Sequence, residues 1–346
     1  MSQATTWSVP LVGPATPTLL TQRTDDSLDA LLSGHSGSAR PSYAVAGTVW
    51  EDTSVAGTVK FYFFDGSDDI LLCTVNTSTN IVTWANATSA ATQSYGQCRL
   101  SLSGGNLLLS RFNGQLLTIN GVHYSIPSAG VTLAPTGLTP STLYYIYAWM
   151  NSGTMTLEAS TTASAVDSTT GVRIKTGDAT RTLVGMARPV TGPAFVDTLA
   201  QRFVRSWYND TGVALFNNFT ANRQRTSTTF AEVNTEIRCE FLVWSDEVAD
   251  AVATGNAING AAGDGTRSAL AFGTTTPAST VEVNGAVSLM GSSDIVPFSA
   301  RSMKTGLTEG YNYVTLFGAI QTGPSTSTWY GDQDGRRTSI SVAVRR

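Results

Sequence analysis

Hydrophobic and polar residues alternate in short runs along most of the chain, and small turn-forming residues separate the runs. In TVKFYFF, the odd-numbered residues from Val59 to Phe63 share one face of an extended strand, and the even-numbered residues from Lys60 to Phe64 share the other. In TEIRCEFLVW, the odd-numbered residues from Ile237 to Val243 are predicted to point inward. This period of two predicts an all-β fold built from short strands.

Glycine and asparagine mark the predicted turns between these strands. Asn113-Gly114 and Asn120-Gly121 both lie between alternating apolar residues. This is a strong hairpin signal, because both central positions of the turn need a positive φ. Further hairpins are predicted at Gly104–Asn106, Asn151–Gly153, Gly177-Asp178 and Asn284-Gly285. The stretch 246–260, DEVADAVATGNAING, breaks the pattern and is interpreted as a helical turn or a long loop.

The first forty residues differ from the rest because they contain a short helical pattern. We predict one helix there, with Thr24 as its N-cap, Asp25 and Asp26 in its first turn and Gly34 at its end. The segment is too short to be stable as an isolated helix. It is therefore expected to be an arm that docks on something else, and the alternative is a flexible leader.

The chain is predicted to have four parts. Residues 1–40 form an N-terminal attachment arm, residues 41–96 a small β-meander, and residues 97–209 a central antiparallel β-module. Residues 210–346 form a C-terminal β-sandwich or jelly-roll-like domain. No strict internal repeat is found, which argues against a propeller or a regular solenoid.

Composition and charge narrow the classes of function. Charged residues make up only 13% of the chain and the formal net charge is −4, without a basic run, so nucleic-acid binding is not expected. Three cysteines are too few for a disulfide framework, and Cys73 and Cys239 are predicted to be buried. No signal peptide and no membrane-spanning run are recognised, so we expect synthesis in a cytoplasm and no membrane insertion.

The sequence offers little for catalysis. It has two histidines, His35 and His123, and neither belongs to a recognisable zinc cluster or catalytic triad. A Gly-rich phosphate loop and a Gly-X-Ser-X-Gly elbow are both missing. The visible acidic pairs are interpreted as turn and surface residues, although a pair suited to sugar cleavage is left open. We therefore expect no enzymatic activity, no catalytic or metal-binding residues and no cofactor.

One loop near the C-terminus, WYGDQDGRR, combines residue types that bind ligands. Two exposed-looking aromatic residues, two acids and two arginines would suit a carbohydrate subsite, with ring stacking and bidentate hydrogen bonds. The Asp-X-Asp-Gly spacing is also a fragment of a calcium loop, but the distal Glu is missing. A plain turn with a packed tryptophan is the third interpretation. The candidate ligand-binding residues are Trp329, Tyr330, Asp332, Asp334 and Arg336.

Several long stretches resemble a known group of proteins. ARPSYAVAGTVWEDTS, followed by FYFFDGSDDI, resembles the N-terminal region of many bacteriophage tail fibres and virion appendages. The stretches from SRFNGQLLTINGVHYSI to MTLEAS and from GVRIKTGDATRTL to VRSWYN resemble a β-rich module that recurs in structural proteins of tailed phages. The resemblance covers roughly residues 35–209, and the last block resembles nothing we can place.

The resemblance implies a structural protein of the virus particle. Such fibres attach to other virion proteins, of the tail, baseplate or capsid, by the N-terminal end and present the C-terminal end to a host glycan or receptor. They are commonly homotrimers, because three chains bury edges and apolar faces that one chain would expose. A tail fibre is the first expectation and a capsid-anchored head fibre or decoration protein is the alternative. A polysaccharide depolymerase tailspike and a free carbohydrate-binding module are further alternatives.

Overall fold

The structure is a computed structural model that describes residues 3–4, 6–10, 12–85, 94–281, 287–289, 294–332 and 335–346, the segment 287–289 by its backbone alone. Apart from one α-helix and one short 3-10 helix, its regular elements are β-strands, so the all-β prediction is confirmed. The chain forms two compact units, residues 1–93 and residues 94–346. The finer division into four parts stays a prediction.

The first unit contains the α-helix and one antiparallel sheet. None of the described helices is long and apolar enough to cross a membrane. The sheet has the strand order β1-β2-β3-β4, which is the predicted meander. The elements are α1 (Pro17–Leu32), β1 (Val49–Asp52), β2 (Thr58–Phe64), β3 (Asp69–Asn76) and β4 (Ile81–Trp84).

The start of the helix differs from the prediction. Thr16, not Thr24, is the N-cap: its hydroxyl accepts a hydrogen bond from the backbone N–H of Leu19 at 3.3 Å, and Pro17 follows as the first helical residue. Thr24 lies in the middle of α1, so the predicted N-cap was wrong. A Thr-Pro pair suits a helix start because proline has no N–H to leave unsatisfied there. Gly34, with φ of 62°, follows the end of the helix as predicted.

The two faces of the first sheet are covered differently. On one face Trp50 stacks on Tyr62, with ring centroids 5.0 Å apart, and its indole N–H donates to Asp69 at 3.0 Å. The guanidinium of Arg40 lies 3.9 Å from the ring centre of Phe64 on the same face. The opposite face contains the buried Cys73, as predicted, and a group of apolar side chains that are half-buried or exposed: Val49, Phe61, Phe63, Ile70, Val82 and Trp84.

The second unit begins with short antiparallel strands. They form a six-stranded sheet with the order β11-β10-β14-β13-β12 and with β16 on β14, a three-stranded sheet β5-β6-β9, and the hairpin β7-β8. The strands are β5 (Cys98–Ser103), β6 (Asn106–Arg111), β7 (Leu116–Ile119), β8 (Val122–Ser125), β9 (Val131–Leu133), β10 (Tyr144–Asn151), β11 (Thr154–Ser160), β12 (Ser164–Val166), β13 (Arg173–Lys175), β14 (Asp178–Ala187), β15 (Gln201–Arg202) and β16 (Val204–Ser206).

Four of the predicted hairpins in this region are confirmed and one is wrong. The strand pairs β5-β6, β7-β8, β10-β11 and β13-β14 close at the predicted turns. Asn113 and Gly114 do adopt positive φ, but β6 and β7 are not partners. The backbone of Gln97 lies between them: Phe112 donates to its carbonyl and its N–H donates to Leu116. Asn284-Gly285 lies outside the described residues.

The rest of the second unit is a β-sandwich of two six-stranded sheets. One sheet has the order β15-β20-β25-β22-β23 with β19 on β25, and the other has the order β17-β27-β21-β26-β18 with β24 on β21. A 3-10 helix spans Thr235–Ile237. The strands are β17 (Val213–Asn218), β18 (Arg223–Arg225), β19 (Ala231–Glu232), β20 (Cys239–Val243), β21 (Val248–Asn259), β22 (Gly265–Gly273), β23 (Val287–Leu289), β24 (Val296–Lys304), β25 (Gly310–Ile320), β26 (Ser327–Trp329) and β27 (Ser339–Arg345).

The stretch 246–260 is the clearest correction to the sequence analysis. It contains the twelve-residue strand β21, which pairs with β24, β26 and β27 in the middle of its sheet. Its inward residues are alanines, including Ala251 and Ala253, which pack in one core with Cys239 and Phe241 of the opposite sheet. Alanine has low β-propensity, so the local pattern indicated a loop, but the packing of two sheets outweighs that preference.

A second apolar core joins the central module to the sandwich. Tyr147 and Leu183 of the central sheet pack there with Phe203, which lies between β15 and β16, and with Leu242 and Trp244 at the end of β20. All five side chains are buried. Residues 97–209 and 210–346 therefore share buried surface within the second unit.

A buried arginine crosses the same junction. Arg205 of β16 is 1% exposed; its Nε donates to Asp210 at 2.9 Å and its Nη1 donates to the carbonyl of Leu242 at 2.7 Å. Its two terminal nitrogens donate to the two carboxylate oxygens of Glu247, and Oε2 of Glu247 also accepts the backbone N–H of Trp244. Each charged group is thus hydrogen-bonded to several partners, as a buried ion cluster requires.

We expect Arg205→Met to lower the free energy of unfolding by about 3–5 kcal/mol, because it leaves the buried Glu247 carboxylate and the partly buried Asp210 carboxylate without their cation. Arg301→Met is the matched control: Arg301 pairs with Asp250 at 2.7 Å, but its side chain is 63% exposed. Its loss should cost about 1 kcal/mol or less. Urea unfolding followed by circular dichroism measures both, and similar costs for the two variants would contradict the assigned role of Arg205.

Candidate functional site

The predicted ligand loop begins at the last residue of β26 and runs toward β27. Backbone hydrogen bonds hold its base: Tyr330 donates to Asn256 of β21 at 3.1 Å, and Thr338 donates back to Tyr330 at 2.8 Å. Gly331 approaches the chain at Ala221 so closely that a Cβ atom would lie 2.3 Å from the carbonyl oxygen of Ala221. The loop is therefore fixed against residues 219–222.

The expectation that Trp329 is exposed is wrong. Its side chain is fully buried in the sandwich core, and its indole N–H donates to the hydroxyl of Ser268 at 2.8 Å. Trp329 pairs with Arg223 on one side and with Ala257 on the other, so its strand lies inside the sheet. A ring in this position cannot stack on a carbohydrate. The alternative of a packed tryptophan describes this residue.

The remaining described loop residues lie nearer the surface. Tyr330 is half-buried, and the guanidinium of Arg336 lies 5.9 Å from its ring centre. Asp332 is exposed and accepts a hydrogen bond from the side-chain amide of Asn222 at 3.0 Å. Asp334 lies outside the described residues. Sequence reasoning missed Asn222, which lies more than a hundred positions before Asp332 in the chain. The side-chain oxygen of Asn222 also accepts the backbone N–H of Gly331.

These groups could bind a polar ligand but do not form a recognisable reaction centre. The phenol of Tyr330, the carboxylate of Asp332 and the guanidinium of Arg336 offer both donors and acceptors to hydroxyl groups. Among the described residues, no group of three or more His, Cys, Asp or Glu side chains is placed to hold a metal ion. Calcium binding by this loop stays untested because one of its two acids, Asp334, is not described.

A crevice of about 420 Å³ lies between the central module and the sandwich, within the second unit. Its polar lining includes Arg99, Asp197, Arg202 and Asp210, which no local motif in the sequence connects. Most of these groups already have partners: Arg202 donates to the carbonyl of Ala214 at 3.1 Å and lies 3.5 Å from Asp197, and Asp210 accepts from Arg205.

Asp197 is satisfied only in part, through the ion pair of its Oδ2 with Arg202. Its Oδ1 is buried and no described side chain or backbone group hydrogen-bonds to it. Burial raises the pKa of the Asp197 carboxyl, and the nearby guanidinium of Arg202 opposes that shift. Because Oδ1 has almost no accessible surface, it does not face the open crevice. The charged lining is therefore interpreted as part of the junction between the two halves of the unit.

A buried polar network supports the strand that leads into the loop. Asn259 donates to Ser325 at 3.1 Å and Thr266 shares a hydrogen bond with Ser327 at 2.7 Å. Asp264 accepts hydrogen bonds from the side chain of Ser325 and from both the backbone and the hydroxyl of Thr322. Burial alone would raise the pKa of Asp264, but these hydrogen bonds outweigh it and lower the pKa to about 2.

Comparison with known proteins gives no family for the chain. No protein-family model matches it, and none of the curated proteins matches it. Among solved structures, it is similar to the structure of infectious bursal disease virus, Gx strain, at 11% sequence identity and a TM-score of 0.26. That similarity covers 72% of this chain and 73% of the other. A similarity at this level carries no argument about function.

The network around Asp264 predicts how stability changes in acid. A carboxyl whose folded pKa is about 2, below its ordinary value of 3.8, stabilises the fold above pH 4, and this contribution is lost as the pH falls toward 2. We expect Asp264→Asn to flatten this part of the stability profile, and Ser325→Ala to flatten it less. Thermal unfolding at several pH values measures it; an unchanged slope in Asp264→Asn would contradict the assignment.

Proposed function

We propose that the chain is a structural protein of a virus particle that attaches through residues 1–93 and presents residues 94–346 outward. The distribution of exposed apolar side chains supports this most directly. Of the twenty large apolar side chains that are exposed among the described residues, fifteen lie in the first unit, although it is about a quarter of the chain. Large exposed apolar surface commonly marks a surface that binds another protein.

The helix contributes to this surface as well as the sheet. Leu20, Leu28, Leu31 and Leu32 of α1 are 46–89% exposed, and Trp84 of β4 is 63% exposed. Leaving these groups in water is unfavourable by about 25 cal/mol for each Å² of apolar surface. Contact with other virion proteins or with further copies of the chain would remove that cost. The homotrimer implied by the resemblance stays a prediction.

The second unit has the properties expected of a body that faces solvent. Its apolar residues fill several buried cores, and only five large apolar side chains are exposed among its described residues. Host attachment through a glycan or receptor would then involve surface groups such as Tyr330, Asp332 and Arg336. A tail fibre is the first proposal, and a head fibre or decoration protein fits the same distribution of apolar surface.

Two other classes fit the distribution less well. A free carbohydrate-binding module would not need the exposed apolar surface of the first unit. A depolymerase tailspike usually carries a long parallel β-helix, whereas the described strand pairs are antiparallel except for β15 with β20. A polysaccharide-clearing assay with the purified chain tests the enzymatic alternative, and a clear zone would contradict the proposed structural role.

Electron microscopy of intact particles tests the location. An antibody raised against residues 210–346 should label the outer ends of tail appendages, because the proposed attachment site is at the other end of the chain. Label over the capsid would support the head-fibre alternative. Particles from the same preparation without antibody are the control. Absence of label from every particle would overturn the proposed virion role.

A competition assay tests the loop at residues 329–337. Purified chain should reduce adsorption of virus to host cells if the second unit binds the host. Tyr330→Ala and Arg336→Ala should weaken this inhibition about tenfold or more if their side chains contact the receptor, since bidentate and aromatic contacts dominate such surfaces. Val166→Ala is the control because Val166 is exposed on β12, which belongs to a different sheet from β26 and β27. Equal inhibition by all variants would remove the loop from the proposal.

A further inference from the structure

The first sheet has two edges, and they are not equivalent. At the β1 edge, the N–H of Gly37 donates to Glu51 at 2.9 Å, and the N–H of Thr53 donates to the carbonyl of Gly37 at 2.9 Å. Residues before β1 thus occupy part of that edge. At the other edge, β4 pairs with β3 only, and no other described strand lies beside it.

Among the described residues, nothing is hydrogen-bonded to the backbone groups of β4 that point away from β3. The N–H of Ala85 donates to Leu72 of β3 at 2.9 Å, and Thr83 is opposite Thr74 of the same strand. Because the direction of backbone groups alternates along a strand, Thr83 also bonds toward β3, and Val82 and Trp84 direct their N–H and C=O groups to the open edge.

The side chains of β4 lack the features that normally protect an open edge. Lysine, proline, bulges and inward-pointing charges keep natural edge strands from pairing with other strands. The sequence of β4 is Ile-Val-Thr-Trp, and all four residues are exposed, with Ile81 at 58%, Val82 at 49% and Trp84 at 63%. No charge would be brought against its own copy at this strand.

We propose that β4 is a self-association edge, at which the β4 strands of two copies pair antiparallel about a two-fold axis through Thr83. In this register Val82 of each copy lies opposite Trp84 of the other, and their outward backbone groups form the hydrogen-bonded pairs. The two Thr83 residues form the non-hydrogen-bonded pair at the axis. The register uses every outward backbone group of the strand and joins two four-stranded sheets into one.

The occupant of this edge is a second copy, for two reasons. A two-fold contact requires a surface that is complementary to itself, and the neutral strand with threonine at its centre meets that requirement, since β-branched, aromatic and threonine pairs across strands are favourable. A head-to-tail arrangement of copies would need β4 to pair with β1, whose edge Gly37 partly occupies. The contact gives an even number of copies, so it competes with the trimer implied by the resemblance.

The contact is smaller than a standard interface of roughly 800 Å² per partner, so association should depend on protein concentration. It is tested with the full chain carrying Thr83→Cys under mild oxidation. Cα atoms of a non-hydrogen-bonded pair are about 4.5 Å apart, within the range that a disulfide can bridge. We expect a disulfide-linked dimer on a non-reducing gel, with a yield that rises with concentration.

Three matched chains make the result specific. Thr154→Cys places a cysteine on an exposed residue of β11, an edge strand of the second unit, and should cross-link at least tenfold more slowly. The unchanged chain has only buried cysteines, at positions 73, 98 and 239, and should not cross-link. Adding Val82→Pro to Thr83→Cys removes an N–H that faces the open edge, which spares the β3 ladder and should abolish the cross-link.

Each outcome decides the proposal. The proposal is overturned if Thr83→Cys cross-links no faster than Thr154→Cys. It is also overturned if sedimentation shows a trimer and the Val82→Pro substitution leaves the mass of that trimer unchanged. Circular dichroism of the proline variant confirms that the sheet is retained. The assay uses the purified chain alone, so its failure leaves the proposed virion role standing, and failure of particle labelling leaves the β4 contact standing.

Discussion

The second unit depends on the ion cluster centred on Arg205. Removing an arginine from water is costly, and the cost is offset only because Asp210, Glu247 and the carbonyl of Leu242 all bind it. Asp210 directly follows the central module, Leu242 lies on β20, and Glu247 lies in the turn between β20 and β21. The two parts must therefore pack in one orientation for the arginine to be satisfied. The adjoining apolar core of Tyr147, Phe203 and Trp244 buries another part of the same junction.

The sheet of the first unit differs from the sheets of the second unit in how its faces are covered. A β-sheet normally buries at least one face against a second layer. Here residues around Arg40 cover the face with Trp50, whereas the face with Trp84 keeps several apolar side chains exposed or half-buried. The chain thus completes its cores after residue 94 and leaves apolar surface available before it. This distribution of exposed apolar surface suits a protein that binds within an assembly through one unit and keeps the other unit in solvent.

Sequence reasoning succeeded where local rules determine the structure. The hairpin at Asn120-Gly121, the end of the helix at Gly34 and the alternation in β20 depend on a few neighbouring residues, and all were predicted. It failed where segments that are distant in sequence determine the local structure. The backbone of Gln97 separates β6 from β7, and the opposite sheet converts the alanine-rich stretch 246–260 into a central strand. Trp329 failed for the same reason, because the strands on both sides of it are more than sixty residues away in sequence.

Two edge strands of the sandwich carry charged residues, whereas the edge strand β4 of the first unit carries none. In the sandwich, β18 ends its sheet with Arg223, Gln224 and Arg225, and β15 ends the other sheet with a glutamine and an arginine. Such charged edges resist pairing with a further strand, because the incoming chain would have to remove them from water. The neutral β4 has no such barrier. The other edge of the β18 sheet, β17, is also neutral, but the N–H of Phe216 on that strand donates to the carbonyl of Leu199. Among the described residues no such bond reaches the outward backbone groups of β4, which is consistent with a contact surface at that edge.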